Sequence, residues 1–408
     1  MKCRFCNHVL TKVFVDLGQS PPSNSFLSKE DLLKKEVFYP LKIYVCDSCF
    51  LVQVDEVKKA EEIFSKDYVY FSSMSRTWLE HSCKYVQKMI SDYAISKKSL
   101  VVEIASNDGY LLQYFKKNGV PVLGIEPTHS TSQVARNKGI ETRESFFGIQ
   151  LAAELAGEGK HADLLLGNNV LAHVPDINDF VAGLHILLKP EGMITMEFPH
   201  LLQMVQNNQF DTIYHEHFSY LSFSTVKRIF AKHRLELFDV EELPTHGGSL
   251  RVYAKHQSAK LHPVTNAVVE LLQKEESMGM NNLLFYEGFE RKALQIKTDF
   301  LKFLSEAEKQ GKTIAGYGAA AKGNTLLNYC GVSSGQISFV VDAAPSKQGK
   351  FLPGSHIPVV PESELVKSRP DFILIFPWNI RTEIVSQLSY IREWGGKFVI
   401  LIPNLQIL

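Results

Sequence analysis

A buried strand that ends in small and polar residues and passes at once into a helix leaves a chain few folds to choose from. Residues 101 to 109 read Val-Val-Glu-Ile-Ala-Ser-Asn-Asp-Gly, followed by the helix-like pattern Tyr110, Leu111, Leu112, Tyr114 and Phe115. An apolar run bounded in this way predicts a strand, a tight turn and a helix start. Small residues in the turn let backbone approach a ligand, and a helix N-terminus offers N–H groups to its polar or anionic parts. A second strand-like run, Pro121 to Ile125, ends at Glu126. A carboxylate at that strand tip is placed to accept hydrogen bonds from both hydroxyls of a ribose. The two stretches predict a nucleoside-cofactor pocket.

The turn lacks the Gly-x-Gly-x-x-Gly spacing of a dinucleotide site. It is similar instead to a degenerate S-adenosylmethionine methyltransferase motif, acidic-x-Gly-x-x-x-Gly, with Glu103, Ala105 and Gly109 at the marked positions. Ser106, Asn107 and Glu126 join them in the expected cofactor-binding set. Helices are expected near Ser130 to Lys138 and Ile149 to Gly157, then a strand from Ala162 to Leu166. That strand leads into Gly-Asn-Asn-Val-Leu-Ala-His-Val-Pro-Asp at 167–176, on the carboxyl edge where open α/β sheets bind ligands. Asn168 and Asn169 are expected at the cofactor and His173 at the substrate. A helix and the strand Gly192 to Phe198 complete five βα repeats, which predict a parallel, doubly wound sheet.

Upstream, Cys3-x-x-Cys6 and Cys46-x-x-Cys49 form two knuckles 39 residues apart. Four thiolates match a tetrahedral structural zinc site with no open position for catalysis. Between them, 18–24 is turn-rich and Tyr39 to Val45 alternates like a strand. Cys83 and Cys330 stand alone and are expected as small buried apolar residues. Lysines plus arginines equal aspartates plus glutamates at 44 each, so electrostatics gives no case for nucleic acid or an anionic membrane. With no apolar run of membrane-spanning length and no apolar signal region, the expectation is a cytoplasmic protein with reduced thiols.

Asp67 to Arg76 is rich in aromatics and hydroxyls, with Tyr68 and Tyr70 candidates to close a pocket, and leads into a helix from Thr77 to Ser91. After the central repeats comes Asp211-Thr-Ile-Tyr214-His215-Glu216-His217-Phe218-Ser219-Tyr220. Read as an extended segment, it puts Tyr214, Glu216 and Phe218 on one side and His215 and His217 on the other. Histidine is the natural general base near neutral pH, and a carboxylate can orient it. A Gly-rich hairpin, Thr245-His246-Gly247-Gly248-Ser249-Leu250-Arg251, joins strands at Glu236 to Glu242 and Leu250 to Ala254. Thr265 to Gln310 is helical in pattern, with a break around Gly279 to Asn282. A second α/β unit then enters Gly316-Tyr317-Gly318-Ala-Ala-Ala-Lys322-Gly323, and its next strand ends at Asp342. A backbone nest with one lysine suits a diphosphate; the same unit also resembles a dinucleotide fingerprint, so an NAD(P)-dependent oxidoreductase is the competing class. A non-enzymatic zinc-ribbon scaffold is a third, which leaves the Tyr-His-Glu-His cluster without a use.

In this order, the knuckles, the Glu103 turn, the Asn169–Asp176 loop, Tyr214–Tyr220, His246–Arg251 and Gly316–Gly323 resemble the C-methyltransferases that act on nucleotide-linked 4-keto-deoxyhexoses. The resemblance spans essentially the whole chain. It implies a zinc-binding module (1–66), a central adenosylmethionine-binding Rossmann-like domain (67–258), and a helical link with a second Rossmann-like domain that holds the nucleotide sugar (259–408). It further implies methylation next to the ketone, with C-3 the family expectation, of a dTDP-linked substrate; a monomer is expected, though not from the resemblance. His217 is the expected base; Glu216 or Tyr214 orients it or bonds the enolate, and His173 lies nearby, while Tyr70, from the aromatic stretch, is a further catalytic candidate. His246, Gly247, Gly248, Arg251, Tyr317, Gly318 and Lys322 are expected to bind substrate. Which of His217, Glu216 and Tyr214 takes the proton is left open.

Overall fold

The computed structural model describes residues 1–58, Glu62 and 71–408. Tyr68 and Tyr70 lie outside the described residues. Three sheets organise the rest. The first is antiparallel, in the order β1 (Lys12–Ser20), β2 (Tyr39–Val45), β3 (Val52–Val54) and β9 (Ser219–Tyr220). Leu41, Ile43 and Val45 point inward from β2, as alternation requires. Gly18, expected in a turn, sits instead at φ +76° inside β1, where the register with β2 shifts; the glycine accommodates a bulge.

The second sheet contains β4 (Val101–Ile104), β5 (Val122–Ile125), β6 (Thr142–Arg143), β7 (Ala162–Asn168), β8 (Leu188–Pro199), β10 (Leu235–Leu243) and β11 (Ser249–His256). Its order is β10-β11-β8-β7-β4-β5-β6. The strands β4 to β8 pair in parallel, as expected, but β11 runs antiparallel to both neighbours. A wholly parallel sheet is therefore corrected: β10 and β11 are joined by a short hairpin, which can only connect opposed strands.

The third sheet, β14 (Val359–Val360), β13 (Val340–Val341), β12 (Ile314–Tyr317), β15 (Phe372–Ile375), β16 (Lys397–Ile400) and β17 (Gln406–Ile407), is parallel except for β17. The expected helical stretch resolves into helices Asn266–Ser277 and Phe289–Lys309 with the break between them. The second helix buries Phe289, Ile296, Phe300 and Phe303 in a core shared by the first and third sheets, and Phe289 stacks on Phe14 at 4.6 Å. That core locks the N-terminal module and the C-terminal unit around the middle of the chain. Among the described residues, no helix is long and apolar enough to cross a membrane.

Candidate active site

The central turn follows β4. Ala105, Asn107 and Gly109 all hold left-handed backbone, at φ +54°, +50° and +74°. A Cβ on Gly109 would lie 2.4 Å from Ile140 Cδ1. Pairing of Ile104 with Ile125 brings Glu126 beside the turn, where its oxygens accept from the N–H of Asn107 and of Thr128, each at 2.9 Å. Oε1 also accepts from the Thr128 hydroxyl, whereas Oε2 has the Asn107 N–H as its donor and keeps a second acceptor site for a ribose hydroxyl. Burial raises the Glu126 carboxyl, partly offset by the Thr128 donors. Glu103 is sealed beneath the turn against Tyr110, and burial holds it well above the usual carboxylate range.

Around this turn Ser106 Oγ, Asp108 Oδ1, Asn168 Nδ2 and Asn169 Oδ1 are buried without a partner among the described residues. Buried polar atoms left in this state call for a polar ligand. S-adenosylmethionine, with hydroxyls, a carboxylate and an ammonium to offer, fits them. Asn169 itself holds φ +55°, donates its N–H to Glu197 O (2.7 Å) and places Nδ2 3.0 Å from His246 Nε2.

The segment 211–220 carries the largest correction. It is not extended: His215 and Glu216 form a turn closed by a hydrogen bond from the His217 N–H to Tyr214 O, at 2.9 Å. His215 and His217 consequently part company. His215 Nε2 meets Pro40 O at 3.2 Å, while the His217 ring lies 4.0 Å from that of Tyr214 and 4.6 Å from that of His173. His217 is oriented by a backbone carbonyl rather than by Glu216: its Nδ1 lies 2.8 Å from Thr212 O. A carbonyl only accepts, so the proton sits on Nδ1 and Nε2 carries the lone pair. His173 is held the same way, with Nδ1 2.9 Å from Glu216 O. Burial lowers both imidazoles, His217 well below its ordinary value and His173 to about 4, so both are neutral bases at physiological pH. The Glu216 carboxylate faces Asn24 of the N-terminal module, whose Nδ2 donates to its two oxygens at 2.7 and 2.9 Å. Burial raises this carboxyl to about 7.

Arg251, expected at the substrate, lies in a buried ionic network. Its guanidinium meets Glu197 at 2.7 Å and Glu241 at 3.2 Å, and Glu197 also binds His81 at 2.8 Å and Thr245 Oγ1 at 2.9 Å. Burial alone would push Glu197 up, but His81 and Arg251 hold it at about 2. His81 stacks on Trp78 at 4.9 Å, and Trp78 meets His246 edge-on at 5.3 Å. The sequence reading missed Glu197, although a lone carboxylate within the apolar run Met193–Phe198 was a signal for it.

The hairpin glycines serve close approach. At φ +89°, Gly247 would drive a Cβ to 2.4 Å from Trp378 Cη2, and Gly248, at φ +119°, to 2.6 Å from Gln203 Cγ. The hairpin thus docks on the loop after β15 in the third sheet. There Trp378 Nε1 donates to Asp211 (2.7 Å), and Lys322 lies 4.2 Å above the Trp378 ring and donates to Asn379 (2.9 Å). Burial raises Asp211 to about 6 and lowers Lys322 to about 8. Lys322 thereby reaches the same junction as His217 and His246, both of which its charge lowers. A cavity of about 290 Å³ opens beside it, between Asn207, Gln209, Gly247, Trp378, Asn379 and Arg381. Tyr317 instead packs into the apolar cluster on one face of the third sheet, and Gly318 packs on Pro377. Asp211, Trp378 and Asn24 were not anticipated; no local pattern marks them, because their partners are distant in the chain.

The four cysteine sulfurs Cys3, Cys6, Cys46 and Cys49 lie within 4.8 Å of one another, with pairs at 3.6 and 3.5 Å. Tetrahedral zinc–thiolate bonds of 2.3 Å put sulfurs about 3.8 Å apart, so the quartet fits zinc. Gln53 Nε2 supports Cys3 Sγ at 3.2 Å.

Comparison with known proteins agrees part by part. Residues 3–64 match the family model described as a putative zinc binding domain, 78–240 a methyltransferase domain, and 244–403 the C-methyltransferase C-terminal domain. The chain is 34% identical to C-methyltransferase NovU from Streptomyces niveus, over 100% of this chain and 96% of that one. A ubiquinone biosynthesis O-methyltransferase of Bartonella tribocorum is 27% identical over 95 residues, covering 23% of this chain and 38% of that one. A putative S-adenosylmethionine-dependent methyltransferase from Listeria monocytogenes superimposes with a TM-score of 0.36 at 15% identity, over 44% of this chain and 99% of that one. The methyl donor is S-adenosylmethionine and the metal of the cysteine quartet is zinc. With one relative matched end to end and all three domain models in sequence, this chain belongs to the C-methyltransferase family.

Proposed function

We propose that this enzyme methylates the carbon beside the ketone, C-3, of a nucleotide-linked 4-keto-deoxyhexose, with dTDP as the carrier. The observation that carries the reading is the pair of buried, neutral imidazoles, His217 and His173, each with its Nδ1 proton fixed on a carbonyl. Methylation at such a carbon needs a base to remove an α-proton and a donor to hold the enolate oxygen. S-adenosylmethionine, when bound, supplies an electrophilic methyl group.

His217 Nε2 takes the proton; a positioned base is worth roughly 10²- to 10⁴-fold. Glu216, raised to about 7, still carries a proton in part of the molecules at neutral pH and, with Tyr214, is placed in this reading to hydrogen-bond the developing oxyanion. Lys322 and the cavity beside Trp378 support a diphosphate-binding role for the C-terminal unit. Tyr70 joins the catalytic set in this reading on the aromatic, hydroxyl-rich sequence of 67–76 alone. In this reading the chain divides at 1–66, 67–258 and 259–408, works as a monomer and resides in the cytoplasm.

The test is hydrogen exchange. With S-adenosylhomocysteine replacing the methyl donor, a dTDP-4-keto-deoxyhexose in deuterated water is expected to gain deuterium at C-3 with the wild type and not with His217→Asn. Exchange at another carbon, or undiminished exchange in the variant, overturns the assignment.

A further inference from the structure

We propose that Arg4, between the zinc-binding cysteines, is a positioning residue that sets the spacing of the two histidines. The inference rests on the reading of His217 and His173 as the proton-handling pair. Arg4 is half-buried, yet it directs its donors to carbonyls: Nη1 to Pro175 O at 2.7 Å and Nη2 to Val54 O at 2.6 Å, with Nε left unpartnered. Glu56, Asp55 and Asp176 favour the charge only through space, and its hydrogen bonds go to neutral carbonyls with one donor unmatched among the described residues, an arrangement poorly placed for stability alone. What it does accomplish is a bridge.

Pro175 lies two residues beyond His173. Val54 belongs to β3, whose N–H donates to Phe218 O at 3.2 Å, and Phe218 directly follows His217. Arg4 Cζ also lies 5.3 Å over the Phe218 ring. One side chain therefore touches both histidine-bearing segments. Its own backbone is fixed on three sides. Cys3 and Cys6 flank it, Gln53 Oε1 accepts its N–H at 2.9 Å, and Asn178 Nδ2 donates to Arg4 O at 2.9 Å and Phe5 O at 3.0 Å. Gln53 also donates to Cys3 Sγ and pairs with Ser219 in the sheet. The zinc knuckle is thus a rigid mount, and Arg4 is the strut that runs from it to the loop of His173 and the strand after His217. Planar, forked donors suit two acceptors on different segments; a lysine ammonium is a single flexible point.

The experiment compares wild type, Arg4→Gln, Arg4→Lys and His217→Asn in the C-3 exchange assay. Zinc content and S-adenosylhomocysteine stoichiometry set the active fraction. Arg4→Gln is expected to lower kcat for exchange roughly 10- to 100-fold with KM and S-adenosylhomocysteine affinity unchanged, because misplacement by about 1 Å suffices for such a loss. Arg4→Lys is expected to recover little of it; full rescue by lysine would assign the effect to charge and overturn the strut. Wild-type kcat in zinc-loaded Arg4→Gln overturns it also. Should the Arg4 variants fail to retain zinc, Asn178→Ala cuts the other side of the mount, and the same selective loss of kcat is expected; unchanged kcat there refutes the proposal. Exchange that survives in His217→Asn would instead sink the catalytic assignment, a result separable from both.

Discussion

Two strand–turn–helix units in this chain share a plan and differ in what covers them. In each, the acid at the second strand's tip turns back on its own turn. Glu126 accepts from the Asn107 and Thr128 N–H groups, and Asp342 from those of Ala319 and Ala344, each of the latter at 2.8 Å. Over the C-terminal turn, however, lie Phe376 and Pro377. A Cβ on Gly316 would fall 2.6 Å from Phe376 Cε2, and one on Gly318 would fall 2.6 Å from Pro377 Cδ. Lys347 further pairs with Asp342 at 3.3 Å, so the acid at this strand tip is already matched by a cation of the chain itself. The central turn instead leaves buried polar atoms awaiting partners. Glycines report that something approaches the backbone closely; only the covering residues tell a ligand from a ring.

The sharpest way to break this contrast is to remove each strand-tip acid. Glu126→Ala is expected to weaken S-adenosylhomocysteine binding by about 100-fold or more, since two backbone donors and a ribose lose a charged acceptor. Asp342→Ala is expected to leave that affinity unchanged and to lower the melting temperature. Calorimetric titration of both decides; similar losses of affinity would erase the distinction.

Next are the glycines. Gly318→Ala combines φ +86° with a clash against a rigid proline ring, and is expected to cost about 2–3 kcal/mol in urea unfolding without touching cofactor binding. Gly109→Ala, at φ +74°, meets the end of the flexible Ile140 side chain, so a loss of about 1–2 kcal/mol is expected together with weaker S-adenosylhomocysteine binding. Full stability of Gly318→Ala would return the C-terminal turn to the role of a diphosphate nest.

A subtler test uses pH. Burial raises Glu126 in the folded chain, so its protonated form favours the fold below the unfolded value, and that contribution fades as pH rises through the folded one. A ribose diol prefers the carboxylate. Binding should therefore release a proton wherever the free protein holds Glu126 protonated, and S-adenosylhomocysteine affinity should fall as pH is lowered through this titration, by up to about tenfold per unit. Titrations in two buffers of different ionisation enthalpy measure the released proton; none at any pH would remove Glu126 from the diol.

Local pattern made the strands and the metal legible. The run Val101–Ile104, the alternation of Tyr39–Val45 and the knuckle spacing each carry their information within a few residues. The roles of charged and aromatic side chains were less so, because they depend on partners far along the chain. Arg251 reads as a substrate anchor until Glu197 and Glu241 are found beside it. Glu216 reads as an orienting carboxylate until Asn24, from 192 positions away, takes both its oxygens. His215 and His217 read as one face until the Tyr214–His217 turn separates them. A two-residue period holds only while the backbone stays extended, and a polar segment gives no sign of where it turns.

The smallest effect returns to the central turn. Ala105 stands where the methyltransferase motif has glycine, and it holds φ +54°, a conformation that costs an L-residue about 1–2 kcal/mol. Ala105→Gly relieves that strain but frees the unfolded chain, an offset of roughly 0.5–1 kcal/mol. The net expectation is a gain of a few tenths to about 1 kcal/mol in urea unfolding, with S-adenosylhomocysteine affinity unchanged. Asn107, at φ +50°, would gain less from the same change, because asparagine tolerates left-handed backbone. Ala105→Gly is thus the counterpart of Gly318→Ala: glycine helps the central turn by backbone conformation alone, while the C-terminal turn needs it also to make room for a proline ring. If Ala105→Gly instead destabilised the protein, the packing of the alanine methyl against the core of the second sheet would outweigh the backbone relief, and the central unit would resemble the C-terminal one more closely than its unpartnered polar atoms indicate.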